Sequence, residues 1–145
     1  MNLKCKSFEQ LNTAELYAIL QARSAVFVVE QTCPYQDVDG LDQESLHLWL
    51  EEDSRILAYL REFWKDQDTK CAKIGRVLTT ERGCGLGAQI LREGIRAAWE
   101  QLQADSIFIE AQTYAMGFYE KAGFRLCGEE FLEDDIPHVP MRLRK

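Results

Sequence analysis

The stretch Ile74-Gly-Arg-Val-Leu-Thr-Thr-Glu-Arg-Gly-Cys-Gly-Leu-Gly-Ala88 restricts the fold of this chain more than any other. An apolar strand runs into a turn with glycine at positions 83, 85 and 87, and a helix begins at once. Such a unit exposes several backbone N–H groups at the positive end of a helix, which is how proteins hold phosphate without dedicated lysines. The chain is therefore expected to bind a phosphorylated cofactor, whose identity depends on the residues around the loop.

At 145 residues the chain is expected to form one domain over 1–145, long enough to bury a core. Hydrophobic content of 46% with 10% aromatics describes a globular protein. The net charge of −7 excludes a nucleic-acid binder, which needs a clustered basic surface, and favours a cationic small substrate. Cys5, Cys33, Cys71, Cys84 and Cys127 are odd in number and scattered, with no C-x-x-C pair, so no zinc or other metal site is expected. Reduced thiols of this kind, with no signal-like or membrane-spanning run, predict a soluble cytoplasmic protein without a membrane partner.

Apolar periodicity supplies the element order. A short strand over Lys4–Phe8 precedes a helix from about residue 13 to 29, opened by the capping pair Asn12 and Glu15. Residues 31–45, with Asp37, Asp39, Asp42 and Glu44, form an acidic loop. Leu46–Leu50, Ile56–Phe63 and Lys73–Thr79 are strands of an antiparallel meander. A helix over about 86–102 carries the apolar stripe Leu91, Ile95, Ala98 and Leu102. Then come a buried strand Ile107–Ala111, a short helix Ala115–Ala122 closed by Gly123, and two strands flanking the segment Glu133–Pro140.

Three phosphate loops compete for the glycines. A nucleotide triphosphate loop needs Gly-Lys-Ser/Thr, and here Gly87 is followed by Ala88-Gln89. Gly83-x-Gly85-x-x-Ala88, with Glu110 near the end of the next strand, matches dinucleotide spacing. Yet only 35 residues follow Glu110, too few for a doubly wound sheet and a substrate region. The third is the coenzyme A loop Arg/Gln-x-x-Gly-x-Gly/Ala, met as Arg82-Gly83-Cys84-Gly85-Leu86-Gly87.

With that loop the chain resembles the GNAT family of acetyltransferases. A second motif, Gln112-x-x-Ala115-x-x-Phe118-Tyr119-Glu120-Lys121-Ala122-Gly123-Phe124, follows one helix and one strand later, in the family's order. Closer likeness to the ElaA-type subgroup lies in Arg23-x-x-Val26-Phe27-Val28-Val29-Glu30-Gln31-x-Cys33-Pro34-Tyr35-x-Asp37-x-Asp39-Gly40, Ile74–Val77 and Glu133–His138. Two departures stand out: the Val77–Arg82 connection is about two residues short, and Gln112 replaces the commoner Asn.

The resemblance implies an α/β (α+β) GNAT fold, with a mixed, mostly antiparallel central sheet of about six or seven strands flanked by helices. Two strands, equivalent to 73–79 and 107–111, splay at the coenzyme A cleft. It implies an acetyl-CoA-dependent N-acetyltransferase acting directly on a small-molecule or protein amine; a homodimer is compatible with it. Val77, Leu78 and Thr79 would meet the pantetheine arm through their main chain, with Gln112 and Tyr119 also lining the cofactor site. Amides of Gly83, Cys84, Gly85, Leu86, Gly87 and Ala88 would cradle the pyrophosphate beside Arg82. Tyr119 matches the family position that protonates the leaving thiolate. Glu110 and His138 are candidate bases, alongside Glu30, Glu133 and His47. Cys84, in the loop, could in principle carry a covalent acetyl, and is more simply a tolerated side chain. A non-catalytic acyl-CoA-binding module and a dinucleotide oxidoreductase remain the alternatives.

Overall fold

Polar turns between the apolar runs of residues 46–79 fold them back on one another as a meander. β1 (Asn2–Ser7), β2 (Leu46–Glu52), β3 (Arg55–Asp66) and β4 (Cys71–Thr79) pair antiparallel in that order in the computed structural model, which describes residues 1–145. Asp53 and Ser54 turn the β2–β3 corner at φ 52° and 63°, the doubly left-handed geometry of a tight hairpin. β5 (Ser106–Gln112) lies parallel to β4, followed by short β6 (Arg125–Leu126), β7 (Phe131–Glu133) and long β8 (Ile136–Arg144). β8 runs antiparallel to β5 and carries β6 and β7 on its other side. The sheet is mixed and mostly antiparallel as expected, with eight strands rather than six or seven.

Three helices flank it: α1 (Thr13–Arg23), α2 (Leu86–Glu100) and α3 (Met116–Lys121). The capping pair forms: Asn12 Oδ1 accepts the Glu15 N–H at 2.7 Å, and Glu15 Oε1 accepts the Asn12 N–H at 3.0 Å. The helix expected to reach residue 29 stays α-helical only to Arg23. Ser24–Glu30 widens into π turns, with Gln31 N–H reaching Val26 O. Three valines and a phenylalanine crowd those turns, and π geometry of this kind gathers at functional sites. Residues 133–140 also differ from the sequence reading. Only Asp134 and Asp135 form a turn, at φ 51° and 62°, and Pro137, His138 and Pro140 lie inside β8.

One face of the sheet packs against α2 and α3, the other against α1. On the first, Leu86, Ile90, Leu91, Gly94, Ala97 and Ala98 of α2 meet Leu48, Leu60, Ile74, Ile107 and Met141. The stripe read from sequence is rotated, leaving Ile95 and Leu102 half-buried, because Gly94 lets the helix press onto β3. A Cβ there would stand 2.7 Å from Leu60 Cδ2. On the second face Ile19, Trp49, Tyr59 and Leu78 form a smaller core.

Beside that smaller core lies a charged layer. Arg23 is fully buried; its Nε donates to Asp37 Oδ2 at 3.0 Å and its Nη1 to Asp42 Oδ1 at 2.6 Å. Arg61, on β3, donates to both oxygens of Asp39 and to Asp42 Oδ1. Arg76 completes the set through Asp37 and Asp39. Three arginines from α1, β3 and β4 thus neutralise three aspartates of one loop. His47 is a satisfied core residue, its ring nitrogens bonded to Tyr59 Oη at 2.7 Å and Asp42 O at 2.9 Å.

Glu62 has no such partner. It is fully buried on the opposite face of β3, and neither carboxyl oxygen has a hydrogen bond. Burial therefore raises its pKa well above the usual range and keeps it protonated. A raised folded-state pKa contributes stability that is full below about pH 4.5 and falls as pH rises, by up to about 1.4 kcal/mol per pH unit. Glu62→Gln should remove that slope and be more stable than the wild type at pH 8; urea unfolding from pH 5 to 8 measures it.

β4 and β5 pair only at Cys71–Ser106, Ala72–Ile107 and Lys73–Phe108. Beyond Lys73 the strands part. On its other edge β4 carries a bulge, where Arg76 and Val77 together oppose Leu60. Arg76 has φ 54°, a conformation costing a non-glycine residue about 1–3 kcal/mol.

Candidate active site

The gap between β4 and β5 opens toward the start of α2. Gly83 and Gly85 take φ 77° and 71°, so the chain can turn from β4 into the helix with Gly85 as its N-cap. The first intrahelical bond runs from Gln89 N–H to Gly85 O. The amides of Leu86, Gly87 and Ala88 come before it and have no acceptor within the helix, which makes an anion cradle at the positive end of a fifteen-residue helix. At Gly87 a Cβ would lie 3.5 Å from the Phe118 ring and 3.6 Å from Thr79 Cγ2, so this glycine carries the helix start close to α3 and β4. Cys84 is exposed on the loop.

Arg82 is mostly exposed and forms an ion pair with Glu30, at the end of the π turns. Gln31 accepts from Gln112 Nε2 at 3.4 Å, and Cys33 Sγ approaches Asp134 O at 3.9 Å. Residues 30–33 thus touch the glycine loop, the end of β5 and the β7–β8 turn, three sides of one cleft. Glu30 is a brace in this arrangement.

Tyr119 lies on α3, which follows β5 through a short turn at Thr113–Ala115. Its ring meets Phe118 and Phe124 edge-on, with centroids 5.0 and 5.9 Å away. No protein group hydrogen-bonds its hydroxyl. Burial, with a smaller contribution from Tyr114, lifts the phenol well above its ordinary pKa, so it is a protonated donor at neutral pH.

The two expected bases differ. Glu110 is ion-paired with Lys73, across the β4–β5 gap just where pairing ends. It fastens the apex of the splay. His138 faces Gln112 across the β5–β8 ladder, buried, with its ring stacked on Phe131. Its Nδ1 lies 2.7 Å from Ile136 O, which fixes a proton on Nδ1 and makes Nε2 the nitrogen that can take up or release one, 3.6 Å from Glu133 Oε2. Of the cofactor residues, Val77 and Thr79 are half-buried on the part of β4 that has no β5 partner, while the Leu78 side chain turns into the α1 core.

The dinucleotide reading does not survive this topology. Its loop follows the first strand of a parallel sheet, whereas here the loop follows the fourth strand of an antiparallel meander. Sequence reasoning missed the Arg23–Arg61–Arg76 layer and the Lys73–Glu110 fastening. The signal was there: Arg61 stands among apolar residues of β3, and Asp37, Asp39 and Asp42 follow one another at close spacing.

Comparison with known proteins agrees with the geometry. The model of an acetyltransferase (GNAT) domain matches residues 10–145. Protein ElaA of Escherichia coli K12 is 37% identical over 136 residues, covering 91% of this chain and 89% of its own. An uncharacterized N-acetyltransferase, YjcF of Bacillus subtilis, is 34% identical over 132 residues, covering 90% and 93%. The crystal structure of an acyl-CoA N-acyltransferase from Pseudomonas aeruginosa superposes with a TM-score of 0.90 at 41% identity, over 98% of this chain and 99% of that one. With its splayed β4 and β5, its glycine loop and this kinship, the chain belongs to the GNAT acetyltransferase family, and within it to the ElaA type.

Proposed function

We propose that this N-acyltransferase uses acetyl-CoA and passes the acetyl group directly to an amine. The parting of β4 from β5 beside the uncapped start of α2 carries the reading. An edge of β4 without a β5 partner suits the amides of a pantetheine arm as an added strand does. The amides from Gly83 to Ala88 suit a pyrophosphate.

The amine nitrogen bonds to the thioester carbonyl carbon, and the C–S bond breaks. Tyr119 Oη gives its proton to the departing sulfur. The proton lost by the amine goes to His138 Nε2 directly or through water, with Glu133 beside the imidazolium. Glu110 is not assigned as the base, because Lys73 holds it.

The acceptor is assigned as a cationic amine. The carboxylates of Asp37, Asp39 and Asp42 face arginines and offer it little. Glu133, 3.6 Å from His138 Nε2, and its neighbours Asp134 and Asp135 at the β7–β8 turn are exposed charges with no arginine against them. Calorimetry should give a saturable site for acetyl-CoA and none for NADH. An amine screen following CoA release should then favour polyamine-like, amino-sugar or basic peptide acceptors, with rates that fall as salt rises. Binding of NADH alone overturns the cofactor assignment, and turnover of anionic or neutral amines only overturns the acceptor assignment.

A further inference from the structure

β4 leaves β5 after Lys73, and three residues later an arginine stands in a glycine's conformation. Arg76 has φ 54°, while the glycine beside it, Gly75, does not take a left-handed φ. The strained position therefore carries a side chain, and that side chain is fastened at every donor group it uses. Arg76 Nε donates to Asp37 Oδ1 at 2.9 Å, and Nη2 to Asp37 O at 3.1 Å and Asp39 Oδ2 at 3.2 Å. The guanidinium carbon lies 5.3 Å from the centre of the Tyr35 ring, and the Tyr35 hydroxyl donates to the same Asp37 oxygen at 2.8 Å. Asp37 and Asp39 are in turn fixed by Arg23 and Arg61.

We propose that Arg76 is a positioning residue for the cofactor: clamped by Asp37 and Asp39, it holds the left-handed bulge that turns the β4 edge away from β5 and keeps it free for the pantetheine arm. This rests on the acyl-CoA reading above. Without the clamp, β4 relaxes toward an extended strand, because an L side chain gains by leaving the left-handed region. Pairing with β5 can then propagate past Lys73–Phe108, and the edge amides are used within the sheet. The same loop that closes the charged layer thus sets the shape of the cofactor cleft.

The clamp is separable from the stability of the layer. When Arg76 is removed, Asp37 keeps Arg23 and the Tyr35 hydroxyl, and Asp39 keeps both bonds from Arg61. No buried carboxylate is stranded, so variants at 76 are expected to fold. Glycine at 76 adopts the bulge without a clamp, and alanine does not. This makes two variants with the same loss of charge and opposite backbone preferences.

The test is calorimetry at 15 °C on wild type, Arg76→Ala and Arg76→Gly, with acetyl-CoA and with 3′-phospho-ADP, the half of coenzyme A that lacks pantetheine. Arg76→Ala should bind acetyl-CoA about tenfold more weakly, with 3′-phospho-ADP affinity unchanged. Arg76→Gly should recover most of the lost acetyl-CoA affinity. Equal losses in the two variants, or equal weakening toward both ligands, overturn the clamp, as does wild-type affinity in Arg76→Ala. If Arg76→Ala does not fold, a folded Arg76→Gly with a tenfold loss for acetyl-CoA also overturns it. Wild-type protein that binds 3′-phospho-ADP but not acetyl-CoA overturns the acyl-CoA reading and the clamp's role with it.

Discussion

Tyr119→Phe is expected to lower kcat by about a hundredfold or more while leaving the KM for acetyl-CoA within about threefold. The departing thiolate is the worst-placed charge in the reaction, and a proton delivered as the C–S bond breaks removes it. Tyr119 is suited to that delivery because its phenol is protonated at neutral pH and no protein group takes up its O–H. Burial raises its pKa, which makes the proton harder to give up, so the transfer depends on the sulfur being held against it. The substitution deletes one oxygen and nothing else. Its ring contacts with Phe118 and Phe124 persist, and no protein group loses a hydrogen-bond partner. Stability should therefore change by less than about 0.5 kcal/mol, which separates a chemical loss from a folding loss. The pH profile gives a second reading. A phenol raised above its ordinary value of about 10 keeps its proton past that pH, so wild-type kcat should not fall there through ionisation of this group. Steady-state rates from about pH 6 to about pH 11, on wild type and variant, check both expectations. A variant with wild-type kcat across that range overturns the acid role.

The glycine loop and the short helix that carries Tyr119 were legible in the sequence because both depend on local rules. Glycines at 83 and 85 are needed where the backbone turns left-handed, and α2 follows at once. The meander was legible for the same reason, since its turns are short and polar. What stayed hidden depends on distant pairings. Nothing local marks Arg76 as left-handed with a glycine next to it; the conformation is held by Asp37 and Asp39, nearly forty residues earlier in the chain. The missing length between Val77 and Arg82 gave no hint of a bulge. Glu110 looked like a base because it ends a strand at the cleft, and only pairing with Lys73 reveals its other use. The acidic loop at 37–44 gave no local sign of the three arginines from separate elements that turn inward to meet it.

Arg23→Met tests that inward-facing layer and should be the most destabilising single change in the molecule outside the apolar core. Methionine fills much of the volume without the charge. Asp37 is left with Tyr35 and Arg76, Asp42 is left with Arg61, and the layer holds one buried negative charge in excess. Breaking a buried pair from one side costs about 3–5 kcal/mol, a large part of the roughly 5–15 kcal/mol that holds a domain together. Thermal unfolding should shift down by about 10 °C or more. The acid limb of the stability curve should change as well. Burial alone would raise Asp39 and Asp42, but the arginines overcome it: Asp39 is held at about 2, and Asp42 is also lowered. A depressed folded-state pKa contributes stability that is present above the ordinary carboxylate value and is lost as pH falls from about 4 toward 2. In Arg23→Met the hold on Asp42 weakens, so the difference in unfolding free energy between pH 7 and pH 3 should shrink. Adding Asp42→Asn should restore part of the lost stability at pH 7, because it removes the unpaired charge, and the double-mutant cycle reads the coupling directly. Glu62→Gln should leave this acid limb untouched and alter only the slope at higher pH. One sheet thus carries opposite titrations on its two faces: carboxylates kept ionised by arginines around the β4 bulge, and a carboxyl kept neutral beneath α2. The face that shapes the cofactor cleft is the one that fails in acid.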